Sequence, residues 1–505
     1  MSLMGIDVGT TGCKAVVFDE RGKQLAAAYR EYPLLSPRPG WCEIDSTEVL
    51  RLTRESVREA CSKVKDRVRA LAVSSQGEAV TPIDKKGNIL AHSIVSSCPR
   101  TADLVPVWEK RFGKKHLFEK TGIPVASCFT PLRLEWIKNN DPEVFRRADK
   151  FLFFEDLVYW SLGLEPTTDS SEASRAMCLD LESGEYLKEV FDSIGVEIGQ
   201  LPKVLPSGSV IGEVSGKAAA DWGLPAGTVA VTGGHDQPAA ALGVGVIEEG
   251  QACYGIGTVE CVTSVFRKPL LSERMLEYNL CCYHHTYPGR FVSLAYNFTG
   301  GSLFRWYRDV FGQAEAREAQ QTGRDVYDLL TSQIPAKPTR IFVLPHFTST
   351  GTPYFDNHST GAFLGFSLDT TRGEVIRSIL EGITYEIRMC VDLYAEIGHP
   401  LQEFRCSGGG AKSKEWMQIK ADIMNAEILV PEVSEAGCLG MALLAGAAIG
   451  CYSNLEEAVE TTVKVTRSFS PDPNRAQVYE ENMAIYRDLY PTVKNLAHRI
   501  SALRA

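Results

Sequence analysis

The sequence predicts an α/β protein built from two related halves that face each other across a cleft. Three observations predict it: a glycine-punctuated strand-turn-strand at the start, a second copy of that unit near the middle, and glycine pairs or triplets that lead into helices in both halves.

The first unit is Gly5-Ile-Asp-Val-Gly-Thr-Thr-Gly-Cys-Lys-Ala-Val-Val-Phe-Asp19. Its apolar residues Ile6, Val8 and Ala15 to Phe18 read as two strands around a tight Gly9 to Gly12 turn. That turn is either an ordinary hairpin or a phosphate cradle. Gly9 and Gly12 let the backbone approach an anion, Thr10 and Thr11 supply donors, and Lys14 supplies positive charge. Asp7, just before the turn, is placed for a metal that accompanies the phosphate. Between Ile256 and Phe266 the residues Gly257-Thr258, a Cys, a Val and a Phe recur at the offsets they hold between Val8 and Phe18, which points to duplication. Gly255 stands where the first copy has Asp7, and Val262 where it has Lys14, so one half would hold metal and charge and the other mainly donors.

The chain has 505 residues, 44% hydrophobic and 23% charged, an ordinary globular composition with room for roughly two to four domains. A formal charge of -10 and the lack of a basic run exclude a general nucleic-acid or anionic-membrane surface. The 14 cysteines show neither CxxC nor a Cys/His zinc spacing, and read as buried free thiols of a protein in the reducing cytosol. Asp7 and Lys14 interrupt any apolar run at the start, so no signal peptide is read there. The apolar stretch from Ala436 to Tyr452 reads as a buried helix, with Gly446 and Gly450 at close-packing spacing.

In chain order, Lys23 to Tyr32 reads as a strand, and Ser46 to Ala60 as a helix capped by Ser46. The strand from Arg69 to Ser75 delivers Gln76, Gly77 and Glu78 at its end, where open α/β sheets bind ligands. Glu78 is there either a hydroxyl acceptor or a solvated loop carboxylate. Pro131 to Asn139 and Glu143 to Leu162 look helical, and Leu164 to Ser174 a surface loop. Thr228 to Thr232 is a buried strand, Gly233-Gly234 a turn, and Asp236 with Gln237 opens a helix of small residues. Asp236 is either that helix's cap or a base presented in a cleft. The boundary between the halves falls at Gly243 to Gly250, giving lobes of 1–248 and 249–505. In the second half, Gly300-Gly301 starts a helix, Arg340 to Pro345 is a strand, and Gly373 to Gly398 a long helix. Gly408-Gly-Gly-Ala411 then follows a strand and precedes a helix from Ser413 to Asn425. Closing helices are read past Leu455.

Taken together the residues resemble the FGGY carbohydrate kinases from Met4 to about Leu455. The likeness runs in unbroken order through the first unit, Gly233-Gly-His-Asp-Gln-Pro-Ala-Ala-Ala-Leu-Gly243, Tyr254-Gly-Ile-Gly-Thr258, Thr299-Gly-Gly-Ser-Leu-Phe-Arg-Trp306 and Ser407-Gly-Gly-Gly-Ala-Lys-Ser-Lys-Glu-Trp-Met-Gln-Ile-Lys-Ala-Asp422. It implies two ribonuclease-H-like lobes of the actin and hexokinase type, with ATP, Mg²⁺ and a small sugar or polyol meeting between them. By position it implies Asp7 as the magnesium-associated carboxylate and Thr10, Thr11, Gly12 and Lys14 as phosphate ligands. Gly257 and Thr258 would be the second phosphate contact, Gly301, Gly410 and Ala411 the nucleotide shelf, and Lys414 a residue near adenine. Asp236 would be the general base, with Gln76, Gly77, Glu78, Arg100 and Gln237 around the substrate.

Three departures surround that substrate region. Gly77 replaces the Arg of the glycerol-kinase pattern Gln-Arg-Glu, and the His that xylulose kinases place in Gln-Met-His is absent. Val95 to Arg100 keeps only the Arg of a Trp-x-Asp-x-Arg stretch, and His235 precedes Asp236 where a small residue is usual. The expected activity is phosphorylation of a terminal hydroxyl of a small ketose or polyol. The competing reading is a non-catalytic actin-like or sugar-sensing ATP-binding protein. A homodimer is a further expectation for the assembly.

Overall fold

The structure, a computed structural model, describes residues 2–433 and 435–503. Among these the strands gather mainly into two sheets. The first contains β1 (Ser2–Val8), β2 (Gly12–Asp19), β3 (Gln24–Glu31), β4 (Val68–Ser75), β5 (Val210–Glu213) and β6 (Val229–His235), in the order β5-β6-β4-β1-β2-β3. The second contains β7 (Gln251–Ile256), β8 (Glu260–Phe266), β9 (Tyr283–His284), β10 (Phe291–Asn297), β11 (Glu403–Ser407), β12 (Glu427–Pro431) and β13 (Val465–Phe469), in the order β9-β10-β8-β7-β11-β12-β13. The helices that position the site are α1 (Ser46–Ser62), α2 (Ser170–Arg175), α3 (Asp236–Gly243), α4 (Gly301–Phe311), α5 (Arg372–Glu396), α6 (Lys414–Met424), α7 (Ala436–Ala448) and α8 (Pro473–Ala502).

The duplication read from one short segment extends through both sheets. Each has three antiparallel strands (β3-β2-β1 and β10-β8-β7), two strands added in parallel (β4, β6 and β11, β12) and an antiparallel edge strand (β5 and β13). The two hairpins differ by one residue. Val8 pairs with Cys13 across the first, whereas Ile256 pairs with Glu260 across the second, so the second turn is tighter.

Although α7 belongs to the second half of the chain, it lies across β1, β4 and β6 of the first sheet and against α3. Small residues permit this approach: a side chain at Gly5 would begin 1.8 Å from the Cys438 carbonyl oxygen, and one at Gly440 would begin 2.1 Å from that of Ala239. The stretch read as a buried helix is therefore the layer covering the first sheet, and none of the described helices is long and apolar enough to cross a membrane. All 14 cysteines are free, and most are buried.

Several local expectations need correction. Asp45, not Ser46, caps α1, accepting from the Thr47 amide at 2.9 Å, while the Ser46 hydroxyl is buried against Thr81 and Ser93. The helix expected from Glu143 to Leu162 is broken by the strand Lys150–Leu152, because that segment pairs with Thr81–Ile83 and tertiary pairing outweighs helical periodicity. Leu164 to Ser174 is not a surface loop: it forms the buried strand Thr167–Asp169 and then α2. Gly233-Gly234 is not a turn either but the end of β6, where a side chain at Gly233 would meet the Val73 carbonyl at 1.9 Å. Past Leu455 the helices Leu455–Thr462 and α8 do form, with edge strand β13 between them.

Candidate active site

The first hairpin is held from two sides. The Gly9 amide donates to the Gly12 carbonyl at 2.9 Å, and the Tyr32 hydroxyl donates to the Gly9 and Gly12 carbonyls. Thr10 Oγ1 donates to Gln76 Oε1 at 3.1 Å, and Gln76 Nε2 donates to the Gly9 carbonyl at 3.3 Å. Gln76 therefore braces the turn that β1 and β2 make, and Thr11 stays exposed at its tip. Lys14 Nζ lies 2.7 Å from Glu435 Oε2, just ahead of α7. Asp7 Oδ1 accepts from Ser74 Oγ at 2.8 Å, and burial pushes the Asp7 carboxyl above its usual range against that hydrogen bond. The first turn of α7 lies near it: a side chain at Gly437 would begin 3.9 Å from Asp7 Cγ. Among the described residues there is no cluster of three or more His, Cys, Asp or Glu side chains that could hold a metal. A single carboxylate beside a turn that could cradle phosphate fits Mg²⁺, which takes one or two protein carboxylates and otherwise phosphate oxygens and water.

The second hairpin meets the start of α4. Amides of Gly300 and Ser302 donate to the Thr258 carbonyl at 3.1 Å, and the Gly301 amide donates to that of Gly257 at 2.9 Å. The first amides of α4 are thus spent on holding the exposed Gly257-Thr258 turn in place. Gly408 has φ +91°, and a side chain there would begin 2.6 Å from the Ile256 carbonyl, so the glycine triplet lets Gly410 and Ala411 lie against the end of β7. Lys414 opens α6 and is exposed. From the same helix Lys420 reaches both carboxylate oxygens of Glu260 at 2.9 Å, a fully buried pair that ties α6 to the second hairpin.

Asp236 is the first residue of α3 and follows directly on β6. Burial pushes its carboxyl up to about 7, with the negative charges of Asp7 and Glu78 adding to the rise while Gln237 and Arg175 oppose it. Glu78 is no solvated loop carboxylate. It is buried in the left-handed region at φ +68°, its Oε1 lies 2.7 Å from Arg175 Nε, and its Oε2 accepts from Ser96 Oγ at 2.6 Å. Such backbone strain in a non-glycine residue concentrates at functional sites. Arg175 lies over the Phe129 and Tyr283 rings, so residues far apart in sequence form one wall. Asp236, Gln237, Glu78 and Asp7 are thereby brought within electrostatic reach of one another. Arg100 joins a different set: it donates to Glu43 Oε1 at 2.7 Å and lies over the Trp41 ring, with the Trp136 ring also within 5.0 Å.

Behind this wall Glu155, Asp169 and Glu172 form a buried acidic group. Asp169 accepts from the Ser171 and Glu172 amides at the start of α2 and from Ser207, while Glu155 accepts from the Gly233 amide at 2.8 Å. Arg175, Ser96 and Tyr283 are site residues that sequence reasoning did not single out. For Arg175 a signal existed: Asp169-Ser-Ser-Glu172 has the spacing of a helix cap and would have announced α2.

Residues 2–243 match the model of the FGGY family of carbohydrate kinases, N-terminal domain, and residues 252–449 that of its C-terminal domain. The chain is 26% identical over 498 residues to a xylulose kinase of Staphylococcus epidermidis, covering 98% of this chain and 97% of that protein. It is 29% identical over 501 residues to an autoinducer-2 kinase of Yersinia pestis, covering 97% and 94%. A solved xylulose kinase from Rhodospirillum rubrum matches with TM-score 0.87 and 27% identity over 99% of this chain and all of that one. A gluconate kinase from Lactobacillus acidophilus shares the fold with TM-score 0.88 at 23% identity, over 97% and 98% of the chains.

Proposed function

Because the chain belongs to the FGGY family of carbohydrate kinases and is an ATP-dependent sugar kinase, we propose that it phosphorylates a terminal hydroxyl of a small neutral ketose or polyol, with Asp236 as the general base. The observation that carries this reading is that Asp236 opens α3 within electrostatic reach of both Asp7 and the Glu78–Arg175 pair, with its carboxyl pushed up to about 7. A base of that strength is matched to proton transfer near neutral pH.

Glu78, Gln237 and Ser96 orient the sugar hydroxyls. The Arg175 cation that reaches this wall is already neutralised by Glu78, which favours hydroxyls over a substrate carboxylate. On the other side the Thr10–Thr11 and Gly257–Thr258 turns, with Lys14, grip the phosphates, and Gly301, Gly410, Ala411 and Lys414 line the nucleotide side. Residues 1–248 act as the sugar lobe and 249–505 as the nucleotide lobe, apart from α7. Mg²⁺ held beside Asp7 with ATP would neutralise charge on the phosphates. Asp236 takes the hydroxyl proton as the oxygen bonds to the γ-phosphorus and the bond to the ADP oxygen breaks, so catalysis is mainly positioning and charge stabilisation.

The test is ADP release with MgATP across a panel of C3 to C7 polyols, ketoses and aldonates. A neutral member should raise turnover far above the basal ATPase. Stimulation by aldonates alone would overturn the neutral-substrate reading, and no stimulation by any polyol or sugar would count against the polyol and ketose assignment.

A further inference from the structure

Two of the departures noted around the substrate region, Gly77 and His235, touch each other. A side chain at Gly77 would begin 2.9 Å from His235 Cδ2 and 3.1 Å from both His235 Nε2 and Arg175 Cγ. The imidazole thus fills the space that a residue at position 77 would otherwise take, and position 77 is glycine because the ring is there. His235 is 5% exposed, and its amide donates to Ser171 Oγ at 3.0 Å, which fixes the backbone beneath the ring.

Both ring nitrogens have a neighbour. Nδ1 lies 2.9 Å from the Tyr283 hydroxyl, and Nε2 lies 3.3 Å from Asp236 Oδ1. Tyr283 is fully buried, and its hydroxyl proton needs an acceptor, which Nδ1 supplies. Burial pushes His235 well below the usual histidine range, with Arg175 adding to the fall, so the ring is neutral and carries its single hydrogen on Nε2. Nε2 is thus the protonated nitrogen and the one nearer the carboxylate that accepts the substrate proton, although at 3.3 Å the ring is not aligned for a hydrogen bond to Oδ1 in this structure.

We propose that His235 is a positioning residue whose Nε2–H, 3.3 Å from Asp236 Oδ1, tightens to a hydrogen bond in the substrate complex and leaves Oδ2 to take the proton, and that Tyr283, supplied by edge strand β9 of the second sheet, sets the imidazole tautomer. The relay spans both lobes, so the orientation of the base depends on how the second sheet is seated against α2. It rests on the reading of Asp236 as the base. The other titratable groups acting on Asp236 are Asp7 from β1, Glu78 from the end of β4, Arg175 from α2 and Cys261 from β8.

The experiment compares Tyr283→Phe, His235→Phe and Asp236→Asn with the parent protein, using the best substrate of the panel. Tyr283→Phe keeps the ring and loses only the hydroxyl, while His235→Phe fills the Gly77 space without a nitrogen. Each should lower kcat about tenfold or more, because a lost or misdirected hydrogen bond to a charged group is worth roughly that factor. KM for sugar and for ATP should stay within about threefold. The acid limb of the kcat profile should also move to higher pH, since an Asp carboxylate that loses a donor binds its proton more tightly. Unchanged kcat and acid limb with a raised sugar KM would show that His235 is only a wall of the sugar pocket and would overturn the relay. An active Asp236→Asn protein would sink the base reading and the relay together. An inactive Asp236→Asn with unimpaired Tyr283→Phe and His235→Phe would sink the relay alone.

Discussion

Lys14 Nζ lies 2.7 Å from Glu435 Oε2, so the cation of the first hairpin is paired with a carboxylate at the head of α7. The two side chains are 35% and 28% exposed, and a pair that open to solvent is worth little, about 0–1 kcal/mol. In the proposed site, incoming phosphates would therefore draw Lys14 away from Glu435. Glu435→Gln should lower KM for ATP by a few-fold at low salt, and the gain should shrink as ionic strength rises. Lys14→Ala should raise KM for ATP by about tenfold or more. Initial-rate kinetics at two salt concentrations check both, and an unchanged KM in Lys14→Ala would remove that residue from phosphate binding.

Asp236→Asn keeps the size of the side chain and its capacity to start a helix but removes the basic carboxylate. General-base assistance is commonly worth roughly 10² to 10⁴ in rate, so kcat should drop by about that factor with little change in KM for ATP. Because the Asp236 carboxyl is pushed up to about 7, the parent enzyme should gain activity as pH rises through that value. A substrate-saturated kcat profile measured between pH 5 and 9 checks this. A flat profile across that range, or near-parental kcat in folded Asp236→Asn, would show that Asp236 is only the first residue of α3.

Glu172 is fully buried, and neither of its carboxylate oxygens has a hydrogen-bond partner among the described residues. Burial pushes Glu172 and Glu155 well above the usual carboxyl range, and pushes Asp169 up to about 6. The folded protein thus keeps protons that the unfolded chain gives up. The stability this provides is fully present below the unfolded values near 4 and is lost as pH rises through the folded ones. Glu172→Gln, which stays neutral at any pH, should leave the melting temperature at pH 4.5 nearly unchanged and raise it at pH 8 by about 2–4 °C or more. Calorimetry at the two pH values reads the difference; a variant destabilised equally at both would show that Glu172 is charged and paired in the folded state.

How much of this protein is written locally is visible in particular residues. The two hairpins, the glycine triplet before α6 and the placing of Asp236 at a helix start were all legible, because each depends on residues within a few positions of one another. The repeat between Val8–Phe18 and Ile256–Phe266 announced two sheets of common topology. Even there the one-residue tightening of the second turn escaped, since pairing register is set across strands.

Long-range packing decided the rest. The segment from Leu164 to Ser174 is polar in composition and so resembled a surface loop, yet its polar groups are buried against Glu155, Ser207 and the Gly233 region, and it carries Arg175 to Glu78. By sequence alone Gly77 and His235 were two separate oddities more than 150 positions apart. Only the pairing of β4 with β6 sets them side by side and makes one the space for the other. Likewise the composition of α7 foretold a buried helix but not that it would cover the sheet of the opposite half, because apolarity records that a surface must be covered and carries no address for what covers it.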